Sequence, residues 1–212
     1  MNKTKKKQIS PKENNKLKEI KKENKKALLN ELLPLLKSFA LWIVLVIIVA
    51  WDYTNNQWFS MLFVDFTTYL SYALSKMMFI PASIGGDGTG VVTTLVVNYK
   101  SIQINNYPMI VELECSAYHA YIAMFALVLF SKWNWKQKLA GGAGLFVALA
   151  IINSLRIVML GVIGRRFPQI FNVMHDYVWN ILLVIIIWGL WEIANKKMQK
   201  INQAEIQKQP LL

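Results

Sequence analysis

The chain has 212 residues, is 55% hydrophobic and carries a formal net charge of +12, with a single cysteine. One thiol excludes an intrachain disulfide and any CxxC redox mechanism. The positive charge does not point to nucleic acid: basic residues crowd into 1–37, 132–138, Arg165-Arg166 and the end from Lys196, flanking apolar stretches. Those stretches run to roughly 18 to 25 residues, enough for a helix to cross a ~30 Å hydrocarbon core.

The expected fold class is an all-α integral membrane helical bundle with a small extracytoplasmic β-hairpin. Residues 1–30 read as a basic cytoplasmic tail, 31–195 as a polytopic membrane domain and 196–212 as a second cytoplasmic tail. The first 26 residues are rich in Lys, Asn and Glu without apolar periodicity, as in a disordered or frayed-helical tail. They are too long and too charged for a signal-peptide n-region. The first span is expected at about 34–51. Segment 58–80 is different, because Asp65, Thr68, Tyr72 and Lys76 recur at helical spacing and give it a polar stripe. It is expected to lie in the outer interface or to re-enter.

The glycine-rich "IGGDGTG" after Pro81 reads as a turn, and it lacks the strand-to-helix context of a phosphate loop. "VVTTLVVNYKSIQI" reads as two strands with a turn at Asn98 to Lys100, and "YPMIVELE" as a third strand. Further spans are expected at about 116–130, 139–163 and 177–194, with a loop from Arg165 through Pro168 to Val173. The positive-inside rule puts both tails and the 132–138 loop in the cytoplasm. Cys115, Arg165-Arg166 and His175 then fall on the extracytoplasmic side. The two arginines break the rule locally, which points to a role or an acidic partner.

Three residues stand at the outer ends of three spans. Cys115 sits where a polar extended stretch meets an apolar run. Arg156 lies inside an apolar helix, where an arginine costs at least a few kcal/mol and marks a function or a pair unless it snorkels outward. Asn153, three residues earlier, shares its helix face. His175 opens the last span beside Asp176, a pairing that also suits a plain helix start. His119, one helical turn after Cys115, competes with it. A thiolate is the nucleophilic form of cysteine, and a neighbouring cation or imidazolium favours it. A histidine can take the thiol proton and return it to a leaving amine, and an arginine can face a tetrahedral oxyanion. Cys, His and Arg together suffice for acyl transfer. Glu112 and Glu114 oppose a thiolate electrostatically, unless they orient a histidine or pair with an arginine. Two histidines and one cysteine offer no metal-ligand spacing, and no cofactor is required.

At these residues the chain resembles the exosortase/archaeosortase family of membrane transpeptidases. "ELECSA" at 112–117 matches the family's Glu-rich Cys-Ser-Gly or Cys-Thr-Gly motif, with Ala117 in the glycine position. "NSLR" at 153–156 matches its Asn-x-x-Arg motif, and "HD" at 175–176 its later histidine. The resemblance covers about 91–194. It implies Cys115 as nucleophile, Arg156 as the oxyanion- or thiolate-supporting cation and His175 as acid and base. Ser116, Glu112, Glu114, His119, Asn153 and Asp176 would support them. It also implies a membrane-anchored protein substrate with a C-terminal sorting signal, a thioacyl intermediate on Cys115 and a lipid or polysaccharide acceptor, all at the outer face of the plasma membrane.

A second reading comes from another class: a non-catalytic membrane subunit of a surface-polysaccharide assembly or export system, holding acidic groups through Arg156 and Arg165-Arg166. Such a scaffold tolerates Cys115→Ser, whereas a thiolate enzyme does not. A small transporter finds little support, for lack of an internal repeat or paired broken helices.

Overall fold

The computed structural model of the chain describes residues 11–92 and 95–208. Six α-helices and three strands follow in the order α1 (Pro11–Asn55), α2 (Trp58–Met77), β1 (Ala82–Val92), β2 (Leu95–Ile104), β3 (Tyr107–Val111), α3 (Tyr118–Phe130), α4 (Trp135–Arg166), α5 (Phe171–Val173) and α6 (Trp179–Lys208). A 3-10 turn at Glu114–Ser116 precedes α3, and a π-helical turn at Met174–Val178 precedes α6.

Three helical stretches are long and apolar enough to cross a membrane: Lys21–Asn55, Trp135–Arg166 and Pro168–Ala204. Half of the most apolar window of α4 is buried, against 11% in each of the other two. Thus α4 is the central post, and α1 and the final helix turn broad apolar faces outward. Val44, Ile47 and Trp51 on α1 and Ile181, Val184 and Trp188 on α6 are all exposed, as lipid-facing positions would be. The 20-residue α2 is not among the three stretches. The span expected at 116–130 is the 13-residue α3, about 20 Å at 1.5 Å per residue. Within the two expected tails, the described residues 11–30 and 196–208 are helical, as parts of α1 and α6.

The expected hairpin is a three-stranded antiparallel sheet in the order β1-β2-β3. Two turns were misplaced. Asn98 and Lys100 lie inside β2, paired with Thr89 and Asp87 of β1. The glycine-rich segment is β1 itself, with a register irregularity between Ile84 and Asp87. Its glycines are there for close approach. A Cβ at Gly88 would lie 2.5 Å from the Tyr99 ring, and one at Gly85 would strike the Ser101 hydroxyl. Glycine normally weakens a strand, but here it makes room for its cross-strand neighbours.

The polar stripe of α2 has a use inside the protein. Lys100 Nζ lies 2.6 Å from Asp65 of α2 and 3.3 Å from Asp87 of β1. The hydrogen bond to Asp65 is the main reason its ammonium is held well above the usual lysine range, with burial opposing. Thr68, Ser71 and Ser75 are buried, and Thr68 and Ser75 hydrogen-bond to carbonyls one turn back. The sheet rests on α4 through glycine as well: a Cβ at Gly161 would lie 2.6 Å from Ile104 Cβ, and one at Gly164 would strike the Tyr107 ring. Ile102, Ile104, Val111 and Leu113 pack with Ile157, Val158 and Leu160 in the main core. A second cluster joins Tyr121 of α3, Leu149 of α4 and Leu183 of α6.

α4 is bounded as its sequence dictates. Asn134 and Gln137 form a reciprocal capping box at its start. Arg165 and Arg166 occupy its last turn, where cations suit the helix C-terminus. Arg165 Nη1 also donates to the carbonyl and side chain of Asn105, at 3.0 and 2.9 Å, tying α4 to the β2–β3 turn. That is the role behind one of the two arginines expected to break the charge rule. The loop expected between Arg165 and Val173 is two short helical turns, at Pro168–Ile170 and Phe171–Val173.

Candidate active site

β3 delivers the chain to Cys115. Directly after Val111 the backbone tightens: Cys115 N–H donates to Glu112 O and Ser116 N–H to Leu113 O, each at 3.0 Å. The Ser116 hydroxyl turns inward onto the Leu113 carbonyl. Ala117 then adopts a left-handed conformation, φ 57 and ψ 31, and α3 begins. Only glycine takes that region without strain, and here an alanine holds it. From α4, Asn153 Nδ2 donates to the Cys115 carbonyl at 3.1 Å, so the thiol-bearing backbone is fixed from two sides.

His175 arrives from the far end of the chain on the π-helical turn. Such wide turns are rare and recur at functional sites. Its Nε2 lies 3.4 Å from Cys115 Sγ. Its Nδ1 lies 2.7 Å from Asp176 Oδ1. A carboxylate only accepts, so Nδ1 carries the hydrogen, and Nε2 faces the sulfur, accepting from a thiol as the neutral imidazole or donating to a thiolate as the imidazolium. Phe171 stacks parallel on the imidazole, with ring centroids 5.9 Å apart and planes 10° apart.

Arg156 projects from α4 and is 2% exposed. Nη1 reaches Asn153 Oδ1 at a long 3.5 Å, and the Nε hydrogen has no partner among the described residues. A buried guanidinium with spare donors costs stability unless something negative visits it.

Cys115, Arg156, His175 and Glu112 line one cavity of about 340 Å³, walled by β3 and by Ile157, Leu160 and Phe171. Arg156 also borders a second cavity of about 710 Å³ between α1, α3 and α6, with Glu114, His119 and Asn180 among its polar lining. The sequence left two histidines in contention. His175 lies against the sulfur, while His119 lines the other cavity, has its ring centroid 3.7 Å from that of Tyr118 with the planes tilted by 35°, and accepts Trp42 Nε1–H through its carbonyl. Glu112 faces the thiol cavity and Glu114 the other. Ser116 is fully buried and serves the turn. Sequence reasoning missed Phe171 and Tyr107. Phe171 was open to notice, since it precedes His175 by one helical turn. Nothing in the sequence marked Tyr107, which packs on Phe171 at 5.3 Å and lines the same cavity.

Among the described residues, no group of three or more His, Cys, Asp or Glu side chains is arranged to hold a metal ion. Cys, His and Asp in hydrogen-bonded sequence, with a buried arginine in the same cavity, can carry out nucleophilic acyl transfer. Comparison with protein-family models, with curated proteins and with solved structures finds no match to this chain.

Proposed function

We propose that this protein is a membrane-embedded cysteine peptidase or transpeptidase of the exosortase/archaeosortase kind, acting on the C-terminal sorting signal of membrane-anchored surface proteins. The observation that carries the reading is the contact of 3.4 Å from Cys115 Sγ to His175 Nε2, extended by 2.7 Å from Nδ1 to Asp176. It joins residues sixty positions apart that the motif resemblance had paired.

In the proposed cycle the Cys115 proton passes to His175 Nε2, and Asp176 steadies the resulting imidazolium. The thiolate attacks a peptide carbonyl, and the oxyanion develops toward the spare donors of Arg156. Collapse breaks the C–N bond, and His175 returns the proton to the leaving amine. A thioester remains on Cys115. An incoming nucleophile from a lipid, a polymer or water gives its proton to His175 and attacks the thioester, and the sulfur leaves. The site faces outward, with both chain ends cytoplasmic, as the clustering of basic residues favours.

The experiment is a comparison of cells carrying the wild-type chain, Cys115→Ser and Cys115→Ala, reading the mass of membrane-anchored surface proteins. The enzyme reading expects full-length, unprocessed proteins to accumulate in both variants, and a substrate thioester on Cys115 in a hydroxylamine-sensitive adduct of the wild type. Normal processing in both variants would overturn it and favour the scaffold reading.

A further inference from the structure

The wall of the thiol cavity formed by β3 is a free sheet edge. β3 pairs with β2 alone, in the register Lys100↔Val111 to Ile104↔Tyr107. Cys115 Sγ lies 3.9 Å from the Ile110 carbonyl oxygen, so that carbonyl turns away from β2 and into the cavity. In an antiparallel ladder a residue's N–H and C=O share a side and alternate along the strand. The N–H of Ile110 therefore also faces the cavity, and so does the nitrogen of Pro108, two residues back. Pro108 confirms the phase: a strand proline is tolerated where its nitrogen faces away from the ladder. Met109 and Val111 are buried in the core, whereas Ile110 is 52% exposed.

Open edges are usually blunted by charge, by a bulge or by a covering element, because they recruit other strands. "YPMIV" has no charge. Its guard is Pro108, which removes one donor and leaves the N–H of Ile110 and the carbonyl of Pro108 open to a partner, while the Ile110 carbonyl meets only the weak Cys115 Sγ–H donor at 3.9 Å. Opposite the edge stand apolar Ile157, Leu160 and Phe171, which suit uncharged side chains rather than acidic or basic ones.

We propose that the substrate enters as an extended segment that adds a fourth strand to β3, with Ile110 as its main-chain anchor; this rests on Cys115 being the nucleophile. An amide donated to the Ile110 carbonyl lies beside the sulfur, because that carbonyl is 3.9 Å from Sγ. Strand addition thus brings a main-chain peptide bond to the thiol whatever side chains flank it, and the apolar wall then selects among sequences. Ile110 is a positioning residue acting through its backbone.

The test uses the full chain in detergent and follows alkylation of Cys115 by intact mass. Three probes are compared: iodoacetamide, N-acetyl-alanyl chloromethyl ketone, and acetyl-tri-alanyl chloromethyl ketone with each amide N-methylated in turn. Strand addition expects the longer reagent to react faster than the shorter. One particular N-methylation should remove that gain, a loss of roughly fivefold to tenfold for one main-chain hydrogen bond, while the others leave it. Ile110→Pro, which removes the N–H that would meet a substrate carbonyl, should also reduce the advantage of the longer reagent over the shorter, and the N-methyl series stands independently should that variant fold poorly. A fast iodoacetamide reaction with no sensitivity to any N-methylation overturns strand addition alone. A thiol no more reactive to iodoacetamide than free cysteine overturns the nucleophile reading, and the docking proposal with it.

Discussion

Replacing Arg156 with Met should make the protein more stable and inert. The guanidinium is 2% exposed, its one hydrogen bond among the described residues is 3.5 Å long, and its Nε hydrogen is unpartnered. An unmet buried donor costs about 1–3 kcal/mol, and exchanging a buried, poorly paired charge for an apolar side chain of similar volume stabilises by about 1–4 kcal/mol. Methionine keeps the stem that packs against the neighbouring helices. The net gain should be about 1–3 kcal/mol, or roughly 2–4 °C of melting temperature per kcal/mol for a chain of this size. The measurement belongs in a Cys115→Ser background, so that no thiolate can act as a counter-ion. Tryptophan fluorescence during thermal unfolding in detergent reads the result. A loss of 1 kcal/mol or more would refute the reasoning and make Arg156 a structural cation with a partner of its own.

Other outcomes follow from the same geometry. Arg156→Lys should process substrate poorly although the charge is kept, because a point ammonium cannot present a fork of donors; normal processing would remove Arg156 from the oxyanion role. His175→Ala should abolish thioester formation on Cys115 and His119→Ala should not, read by hydroxylamine-sensitive adducts; the reverse result would exchange the two histidines. Gly161→Ala should cost about 1–3 kcal/mol by overpacking, since its Cβ would lie 2.6 Å from Ile104 Cβ; an unchanged melting temperature would show that the sheet is not seated tightly on α4. Lys100 is held above its ordinary range, chiefly by Asp65. The stability it contributes is fully present below about pH 10.4, the unfolded value, and is lost as the pH rises through the higher folded value. Alkaline unfolding should therefore flatten in Lys100→Met, and identical curves would disprove the coupling.

The apolar runs made the long helices readable, and charge made their flanks readable. What the sequence hid depended on distant partners. "IGGDGTG" looks like a turn because nothing local supplies Tyr99 and Ser101, whose side chains are the reason for its glycines. Asp65 looked like part of a surface stripe because Lys100 lies 35 residues away. The site was half legible. Cys115, Asn153, Arg156 and His175 carried the motif resemblance, but residue chemistry alone left His119 in contention, because how a π-helical turn aims a side chain is not written in local sequence. The free edge of β3 was invisible, since a strand's pairing partners are decided by topology.

The 13 residues of α3 bear on where chemistry can happen. On the proposed topology α3 is the crossing that leads inward from Cys115, and at about 20 Å it falls some 10 Å short of a ~30 Å hydrocarbon core. Lipids around a short crossing thin to meet it, so the thiol would sit at the bottom of a dimple in the outer leaflet. A scissile bond could reach it only from the foot of a substrate's own anchor. Longer acyl chains would deepen the dimple and dry it, making bilayer thickness a setting for turnover as much as a support for the fold.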